Sequence, residues 1–205
     1  MSDLYRKGHR KLQEQFDTRR MADRLDEAIV RDRLDEEDAA FVRSLDMFFL
    51  STVDDRGHPT CSYKAGEPGF VQVVDARTLA FPNYDGNGMY LSMGNIAATK
   101  QVGLLFIDFE TQTRMRVQGE ATIDANDPLM ADYPEAQFIV RVTTREVFPN
   151  CPRYIHKMTR VAPSRFVPKP GCDTPVPAWK TREWVSDTLP EKDPARDPKR
   201  EALEK

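Results

Sequence analysis

The sequence predicts a mainly β fold with flanking helices, in which about six antiparallel strands form a closed or partly closed barrel. Four short apolar or alternating runs, separated by brief turns, follow one another between residues 47 and 82, as in an antiparallel meander. Charged residues make up 31% of the chain and hydrophobic residues 40%, yet the apolar runs concentrate between residues 47 and 123. The core is therefore expected in the middle of the chain, with extensions on both sides.

Three parts follow from this distribution. Residues 1–45 form an N-terminal helical extension, residues 46–150 form the barrel domain, and residues 151–205 form a proline-rich C-terminal segment that wraps over the surface. The extension is dense in both signs of charge and predicts one or two amphipathic helices. Either these helices cover one end of the core or they form a dimer arm. Their apolar positions are Leu12, Phe16, Leu25 and Ile29.

The meander begins with a hairpin. Residues 47–53 and 59–64 are strand-like, and Gly57 lies where the turn between them requires a positive φ. Two further short strands are predicted at residues 70–75 and 79–82, the last one ending at a proline.

A loop rich in glycine and asparagine follows residue 82 and leads into a short helix. Its residue types tolerate left-handed backbone and the close approach of a ligand. Ser92 is predicted near the helix start, where its hydroxyl and free backbone N–H groups would converge on an anion such as a phosphate. The alternative is a long surface loop whose glycines only turn the chain.

The later strands complete the predicted core. Residues 102–109 are apolar almost throughout and predict a central strand buried on both faces. Residues 114–123 alternate between apolar and polar side chains, which predicts a half-buried strand with a basic outer face. A short helix with Asp127 at its N-cap precedes the last long strand at residues 136–148.

The C-terminal segment has a different amino-acid composition. More than half of the fifteen prolines lie from Pro163 onward, and Trp179 and Trp184 are predicted to anchor the segment on the barrel. Residues 191–205 are expected to be disordered.

Several classes of function are disfavoured by composition. The net charge is −3, so neither a nucleic acid nor a membrane surface is expected as a partner, and no run approaches the roughly 18 apolar residues of a transmembrane helix. The start of the chain lacks the apolar centre of a secretory signal, which favours a cytoplasmic location. Three cysteines without CxxC spacing and three isolated histidines predict reduced thiols and no metal site. These residues are Cys61, Cys151, Cys172, His9, His58 and His156.

The order of these features resembles the pyridoxamine 5′-phosphate oxidase-like proteins, which are split-barrel flavoproteins that bind FMN as homodimers. The resemblance rests on FLSTVDDRGHP, a strand ending in the Gly/Asn loop, the helix, and VGLLF, and it covers about residues 45–125, with a weaker match around CPRYI. It implies a six-stranded antiparallel split β-barrel of the FMN-binding type. It also implies an FMN-dependent oxidoreductase that acts on an unidentified small molecule and binds its cofactor at a homodimer interface.

The resemblance also predicts which residues bind the cofactor. Lys64 would supply positive charge near the flavin phosphate or the N1–C2 edge of the ring, unless it simply points to solvent. Arg114 and Arg116 would reach the flavin of the neighbouring subunit, unless they are solvated on the barrel exterior. The full set is Ser62, Tyr63, Lys64, Phe81, Pro82, Asn83, Asn87, Gly88, Met89, Ser92, Asn95, Arg114 and Arg116.

The sequence departs from the family pattern at the helix start. The founding enzymes carry an Arg-Lys pair there, whereas this chain has Leu91 and Ser92 after a longer Gly-rich loop. The identity of the cofactor therefore has an alternative, the deazaflavin F420, which would make the protein an F420-dependent reductase on the same fold. Two further alternatives are a flavin- or haem-binding module without turnover and a structural dimer with an empty groove.

The oxidase's C-terminal substrate residues have no clear equivalent either. Arg153, Tyr154, His156 and Trp179 are candidates for a substrate pocket. Their spacing does not match the family's Arg–His pair and Trp, so vitamin B6 oxidation is not predicted. No side-chain nucleophile is assigned. The candidate proton carriers are Tyr63, Lys64 and His156, the last only if it faces the pocket.

Overall fold

Three helices precede the sheet in the structure, a computed structural model that describes residues 4–204. They are α1 (Lys7–Gln15), α2 (Arg19–Ile29) and α3 (Glu36–Ser44). The prediction of one or two helices was therefore too low. Asp17, which has a positive φ of 49°, separates α1 from α2. Asp35 precedes α3, and its carboxylate caps the first turn of that helix.

The helical extension is joined to the sheet after α2. Arg31 and Val147 exchange two backbone hydrogen bonds of 3.0 and 2.7 Å, and Val42 of α3 is fully buried in the core. The outer helices are far less covered, and several of their apolar side chains are exposed. These are Leu12, Phe16, Met21 and Leu25.

Seven strands form one antiparallel sheet in the order β2-β1-β5-β6-β7-β4-β3. The predicted fold class is confirmed, although the sheet has seven strands and not the six of the predicted barrel. The sheet is not closed, since β2 and β3 form its two edges. The strands are β1 (Met47–Val53), β2 (Pro59–Ala65), β3 (Gln72–Asp75), β4 (Thr78–Asn83), β5 (Gln101–Asp108), β6 (Thr113–Asp124) and β7 (Phe138–Pro149).

Phenylalanine contacts show how strongly the sheet curls. Phe48 of β1 and Phe81 of β4 lie four strands apart in the sheet, which would separate them by about 19 Å if the sheet were flat. Their ring centroids are only 5.0 Å apart, and Phe106 of β5 lies 5.3 Å from Phe48. The sheet therefore wraps around a single core in which all three rings are fully buried.

The central strand β5 differs from its prediction. Only one of its faces is fully buried, and the other is half-buried because the described part of the chain covers it incompletely. The buried side chains are Val102, Leu104 and Phe106, and the half-buried positions are Gly103, Leu105 and Ile107.

The alternation predicted for β6 is confirmed, with Met115, Val117 and Ala121 buried on one face. The predicted short helix is a 3-10 turn, Pro128–Asp132, and the Asp127 carboxylate accepts a 2.9 Å hydrogen bond from its backbone, as expected of an N-cap.

The C-terminal segment (residues 151–204) contacts the barrel domain as far along the chain as Arg200. The prediction of a disordered tail was wrong, because a parallel strand pair and ion pairs hold it. Arg200 contacts Glu135 at 2.7 Å, near the junction with β7. The elements of the segment are β8 (Val176–Pro177), a 3-10 helix (Ala178–Thr181), α5 (Glu183–Ser186), a second 3-10 helix (Pro194–Arg196) and β9 (Ala202–Leu203), which pairs with β8. Within residues 4–204, no helix has the length and apolar content needed to cross a bilayer.

Candidate functional site

A cleft of about 950 Å³ lies between β2, the Gly/Asn loop (residues 84–90) and the C-terminal segment. The helix α4 (Leu91–Thr99) begins in its wall. Three parts of the chain that are distant in sequence therefore line the cleft: β2, the Gly/Asn loop with the start of α4, and the C-terminal segment.

Nine of the thirteen predicted cofactor-binding residues line this cleft. They come from two places, the strand β2 and the stretch from the end of β4 to the first turn of α4. These residues are Ser62, Tyr63, Lys64, Pro82, Asn83, Asn87, Gly88, Met89 and Ser92.

The other four lie outside the cleft. Phe81 is in the core, and the Asn95 amide donates a 3.1 Å hydrogen bond to the Thr52 hydroxyl. Arg114 donates to the backbone oxygen of Cys151 at 2.8 Å, and Arg116 is exposed on β6. Contacts of the two arginines with a second subunit remain a prediction.

Tyr90 sets the geometry of the loop at its junction with α4. Its backbone is left-handed, with φ 48° and ψ 28°, and no side chain caps the helix, so the first N–H groups of α4 are left without a side-chain partner. Such a conformation is costly for a residue with a Cβ. The Tyr90 hydroxyl donates a 3.0 Å hydrogen bond to the Gln137 side chain, and Asn83 donates to the same oxygen at 2.9 Å. This network holds both ends of the loop.

Ser92 joins the helix to the barrel. It is a buried residue in the first turn of α4, and its hydroxyl lies 3.0 Å from the hydroxyl of Ser62 on β2. The Ser92 hydroxyl at the start of α4 therefore faces β2, the strand that also carries Lys64 two residues after Ser62.

Lys64 is a half-buried cation in the cleft wall. Its ammonium group has no carboxylate partner within residues 4–204, and burial lowers its pKa. A desolvated cation without a counter-charge is unfavourable until an anion binds beside it. The site is therefore electrostatically prepared for an anionic ligand.

Apart from Trp179, the residues of the opposite wall of the cleft were not predicted from the sequence. Phe166, Pro168 and Trp179 line it, together with the Gln137 side chain from the start of β7. Trp179 is therefore the one predicted pocket residue of the C-terminal segment that lies in the cleft. Arg153, Tyr154 and His156 are exposed elsewhere, and Trp184 is 71% exposed, so it does not anchor the segment.

Lys180 fixes this wall to the Gly/Asn loop. Its ammonium group lies 2.5 Å from Asp85 in the loop and 2.8 Å from Asp193 in the C-terminal segment. Burial alone would lower the pKa of Lys180, but its hydrogen bonds with the two carboxylates raise it overall.

Two of the candidate proton carriers, Tyr63 and Lys64, line the cleft, whereas His156 does not. No group of three potential metal ligands occurs within residues 4–204. The chemistry available in the cleft is thus anion binding, hydrogen bonding from hydroxyl and amide groups, and proton transfer from a tyrosine or a lysine.

Part of this chain is similar to known proteins. Residues 34–152, which include the whole sheet and α4, match a family model described as pyridoxamine 5′-phosphate oxidase. No curated protein matches the chain.

Several solved structures are similar to part of this chain. A candidate pyridoxamine 5′-phosphate oxidase from Lactobacillus delbrueckii is 25% identical, with 58% of this chain and 95% of that chain covered and a TM-score of 0.48. An FMN-binding protein from Syntrophomonas wolfei is 13% identical, with 68% and 97% covered and a TM-score of 0.43. The haem storage protein HutZ from Vibrio cholerae is 18% identical, with 57% and 94% covered and a TM-score of 0.42.

Proposed function

The chain belongs to the pyridoxamine 5′-phosphate oxidase family, and from this premise we propose that it is a cytoplasmic FMN-binding oxidoreductase that acts on a small molecule. The flavin would lie in the cleft beside β2, the Gly/Asn loop and α4.

The observation that carries the proposal is the convergence of three features that favour an anion. Lys64 contributes an unpaired, half-buried cation. The start of α4 contributes backbone N–H groups without a side-chain cap, and Ser92 contributes a hydroxyl. A phosphate group satisfies all three, because it accepts several hydrogen bonds and carries negative charge.

The residues present also fit the rest of an FMN molecule. A cleft of about 950 Å³ is at the upper end of the range of roughly 300–1,000 Å³ that is usual for small-molecule sites. Met89 lines the cleft and is exposed, so it offers apolar surface to a flat ring. The family's Arg-Lys pair is replaced by Leu91 and Ser92, so Lys64 would supply the charge from a different element.

FMN would supply hydride or electron transfer, and this chain would bind the cofactor, orient it and hold a proton nearby. Lys64 would neutralise negative charge on the bound group. Tyr63 neighbours Lys64 on β2, but successive side chains of a strand point to opposite faces, and the Tyr63 ring packs against Phe49. Lys64 is therefore the candidate proton carrier that shares a face with Ser62.

The proposal includes a homodimer with the cofactor at its interface. The incompletely covered face of β5 and the exposed apolar side chains of α1 and α2 support it, since a second copy could bury them. Arg114 and Arg116 would then reach the partner's cleft. Light scattering on the purified protein tests this part, and a monomer at micromolar concentration in the presence of FMN contradicts it.

Mass spectrometry of the small molecule released on denaturation tests the cofactor. We expect FMN, with oxidised-flavin absorbance near ~450 nm in the intact protein. Release of F420 or haem, with absorbance near ~420 nm, would replace FMN by one of the alternatives. If nothing is released and neither FMN nor F420 binds on titration, the structural-dimer alternative is the correct one.

A further inference from the structure

We propose that Lys180 is a positioning residue for the Gly/Asn loop: through Asp85 it holds the loop in the conformation that receives the cofactor, so the C-terminal segment completes the cofactor site. The identity of the ligand in this inference rests on the proposed function. The role of Lys180 goes beyond the family match, which ends at residue 152.

Lys180 is a buried cation with two fixed partners. Its side chain is 3% exposed, and its ammonium group contacts Asp85 at 2.5 Å and Asp193 at 2.8 Å. A buried ammonium group that loses a carboxylate partner is left as a poorly compensated charge away from water, which is strongly unfavourable. The position of Asp85 is therefore strongly determined by the position of Lys180.

The Gly/Asn loop needs such a restraint. Gly86 and Gly88 flank Asn87, and these residue types give a loop many accessible conformations. The Asn87 side chain bonds only locally, accepting from the Met89 N–H at 3.0 Å. In the described residues, loop side chains form two hydrogen bonds with distant parts of the chain: Lys180 donates to Asp85, and Tyr90 donates to Gln137.

The C-terminal segment is itself a firm support. Asp193 is 4% exposed in its side chain and also caps the following 3-10 turn, accepting from the Ala195 N–H at 2.9 Å. Further along, Arg200 pairs with Glu135 beside β7. Lys180 thus connects the loop to a segment that is fastened independently to the barrel.

The alternative is that the three charges only fasten the C-terminal segment. In that case, loss of the Asp85 contact would leave the loop and its ligand affinity unchanged. Asp85 is the informative position, because its side chain is 42% exposed and its removal leaves Lys180 paired with the buried Asp193. Lys180→Met is a harsher change, since it leaves the Asp193 carboxylate buried without a counter-charge.

The experiment compares wild type with Asp85→Ala, Lys180→Met and the control Lys169→Met. Lys169 is also in the C-terminal segment and forms an ion pair, with Glu67 at 3.4 Å, but neither residue lines the cleft. Two quantities are measured on the full chain: hydrogen exchange of the backbone amides of residues 86–92 without ligand, and the Kd and dissociation rate of FMN.

We expect Asp85→Ala to accelerate exchange in residues 86–92 and to weaken FMN binding by about tenfold or more, mainly through faster dissociation, because the loop must then be ordered on binding. The melting temperature of the ligand-free Asp85→Ala variant should stay within about 3 °C of wild type.

Lys169→Met should leave loop amide exchange and FMN binding unchanged. Lys180→Met should weaken FMN binding at least as much, and the double variant no more than Lys180→Met alone.

The inference is overturned if Asp85→Ala leaves loop exchange and FMN affinity at wild-type values. It is equally overturned if Lys180→Met folds with lower stability but unchanged FMN affinity. If wild type binds no FMN while Asp85→Ala still accelerates loop exchange, the proposed cofactor fails and the positioning role of Lys180 stands.

Discussion

The hydroxyl of Ser62 lies 3.0 Å from the hydroxyl of Ser92, which joins β2 to the first turn of α4 in the wall of the cleft. Each hydroxyl can donate one hydrogen bond and accept others, so the pair can turn one donor toward a bound anion. The two serines are therefore a direct probe of where the phosphate of FMN lies.

Ser92→Ala should weaken FMN binding by about tenfold or more, because a hydrogen bond to a charged group is worth about 1.5–3 kcal/mol. Ser62→Ala should have a smaller effect, and the two changes should be non-additive because the hydroxyls contact each other. Isothermal titration with FMN measures both. Ser51→Ala, an exposed position on β1, is the control. Wild-type affinity in the Ser92 variant would show that the phosphate lies elsewhere.

Lys64→Met should produce opposite changes in stability and in binding. Burial lowers the pKa of Lys64, so the ligand-free fold carries an unfavourable charge that methionine removes. The melting temperature without FMN should rise, while the affinity for FMN should fall by about tenfold. The pKa of Lys64 is lower in the folded state than in the unfolded state, so its charge destabilises the fold at any pH below the folded-state pKa. This destabilisation decreases as the pH rises toward the unfolded-state pKa near ~10.4.

Thermal melts between neutral pH and about pH 10 test this expectation, together with FMN titrations at neutral pH. The stabilisation by Lys64→Met should be largest at neutral pH and should shrink as the pH rises. Lys157→Met, at an exposed position outside the cleft, should change neither quantity. A Lys64 variant that loses stability at neutral pH would mean that the lysine already has a favourable partner in the fold.

Much of the barrel and one wall of the cleft could be predicted from the sequence because their signals are local. Ser92 is close to a helix start, and Lys64 is on a short strand after a hairpin turn, so neighbouring residues determine both positions. The start of α3 was also detectable, since Asp35 and Asp38 form a reciprocal cap within four residues. This cap makes α3 a helix separate from α2, which is why the predicted number of helices was too low.

The rest of the site depends on contacts between distant residues. Asp85 and Lys180 are 95 residues apart, and nothing near either of them in the sequence predicts a buried ion pair. Phe81 shows the converse problem. Its place beside the loop suggested a ligand contact, but the curl of the sheet turns its ring into the core against Phe48. Only the three-dimensional course of the chain determines such positions.

Tyr84 and Tyr133 should titrate well above the usual range of tyrosine. Burial is the main cause that raises the pKa of each to about 12, and the Tyr133 hydroxyl donates a 2.9 Å hydrogen bond to the Phe70 backbone oxygen. For a tyrosine with a raised folded-state pKa, the stability is present below the unfolded value near ~10 and is lost as the pH rises toward 12. The fold should therefore weaken above about pH 10.

Ultraviolet absorbance of tyrosinate, followed with circular dichroism during an alkaline titration, measures this directly. Tyr84→Phe should remove part of the absorbance change near pH 12 and should move the alkaline unfolding midpoint to higher pH. Tyr154→Phe is the control, because that side chain is 82% exposed. If Tyr84 and Tyr133 ionise near pH 10 while the fold stays intact, their surroundings are more hydrated than the structure indicates.

Gly119 should be the least replaceable glycine of the sheet. It lies at the bulge where the register between β6 and β7 shifts, and a Cβ built there would be 2.1 Å from the Thr143 backbone oxygen. The backbone cannot move aside without breaking the pairing of these two central strands, so Gly119→Ala should destabilise the protein by about 3 kcal/mol or more.

Gly103 on the neighbouring β5 is a matched control, since its Cβ would be 3.8 Å from the nearest atom, Ser51 Cβ. Urea unfolding should then place Gly103→Ala within about 1 kcal/mol of wild type. Equal stability of the two variants would mean that β6 and β7 pair in another register, which would also move Arg114 and Arg116 relative to any second subunit.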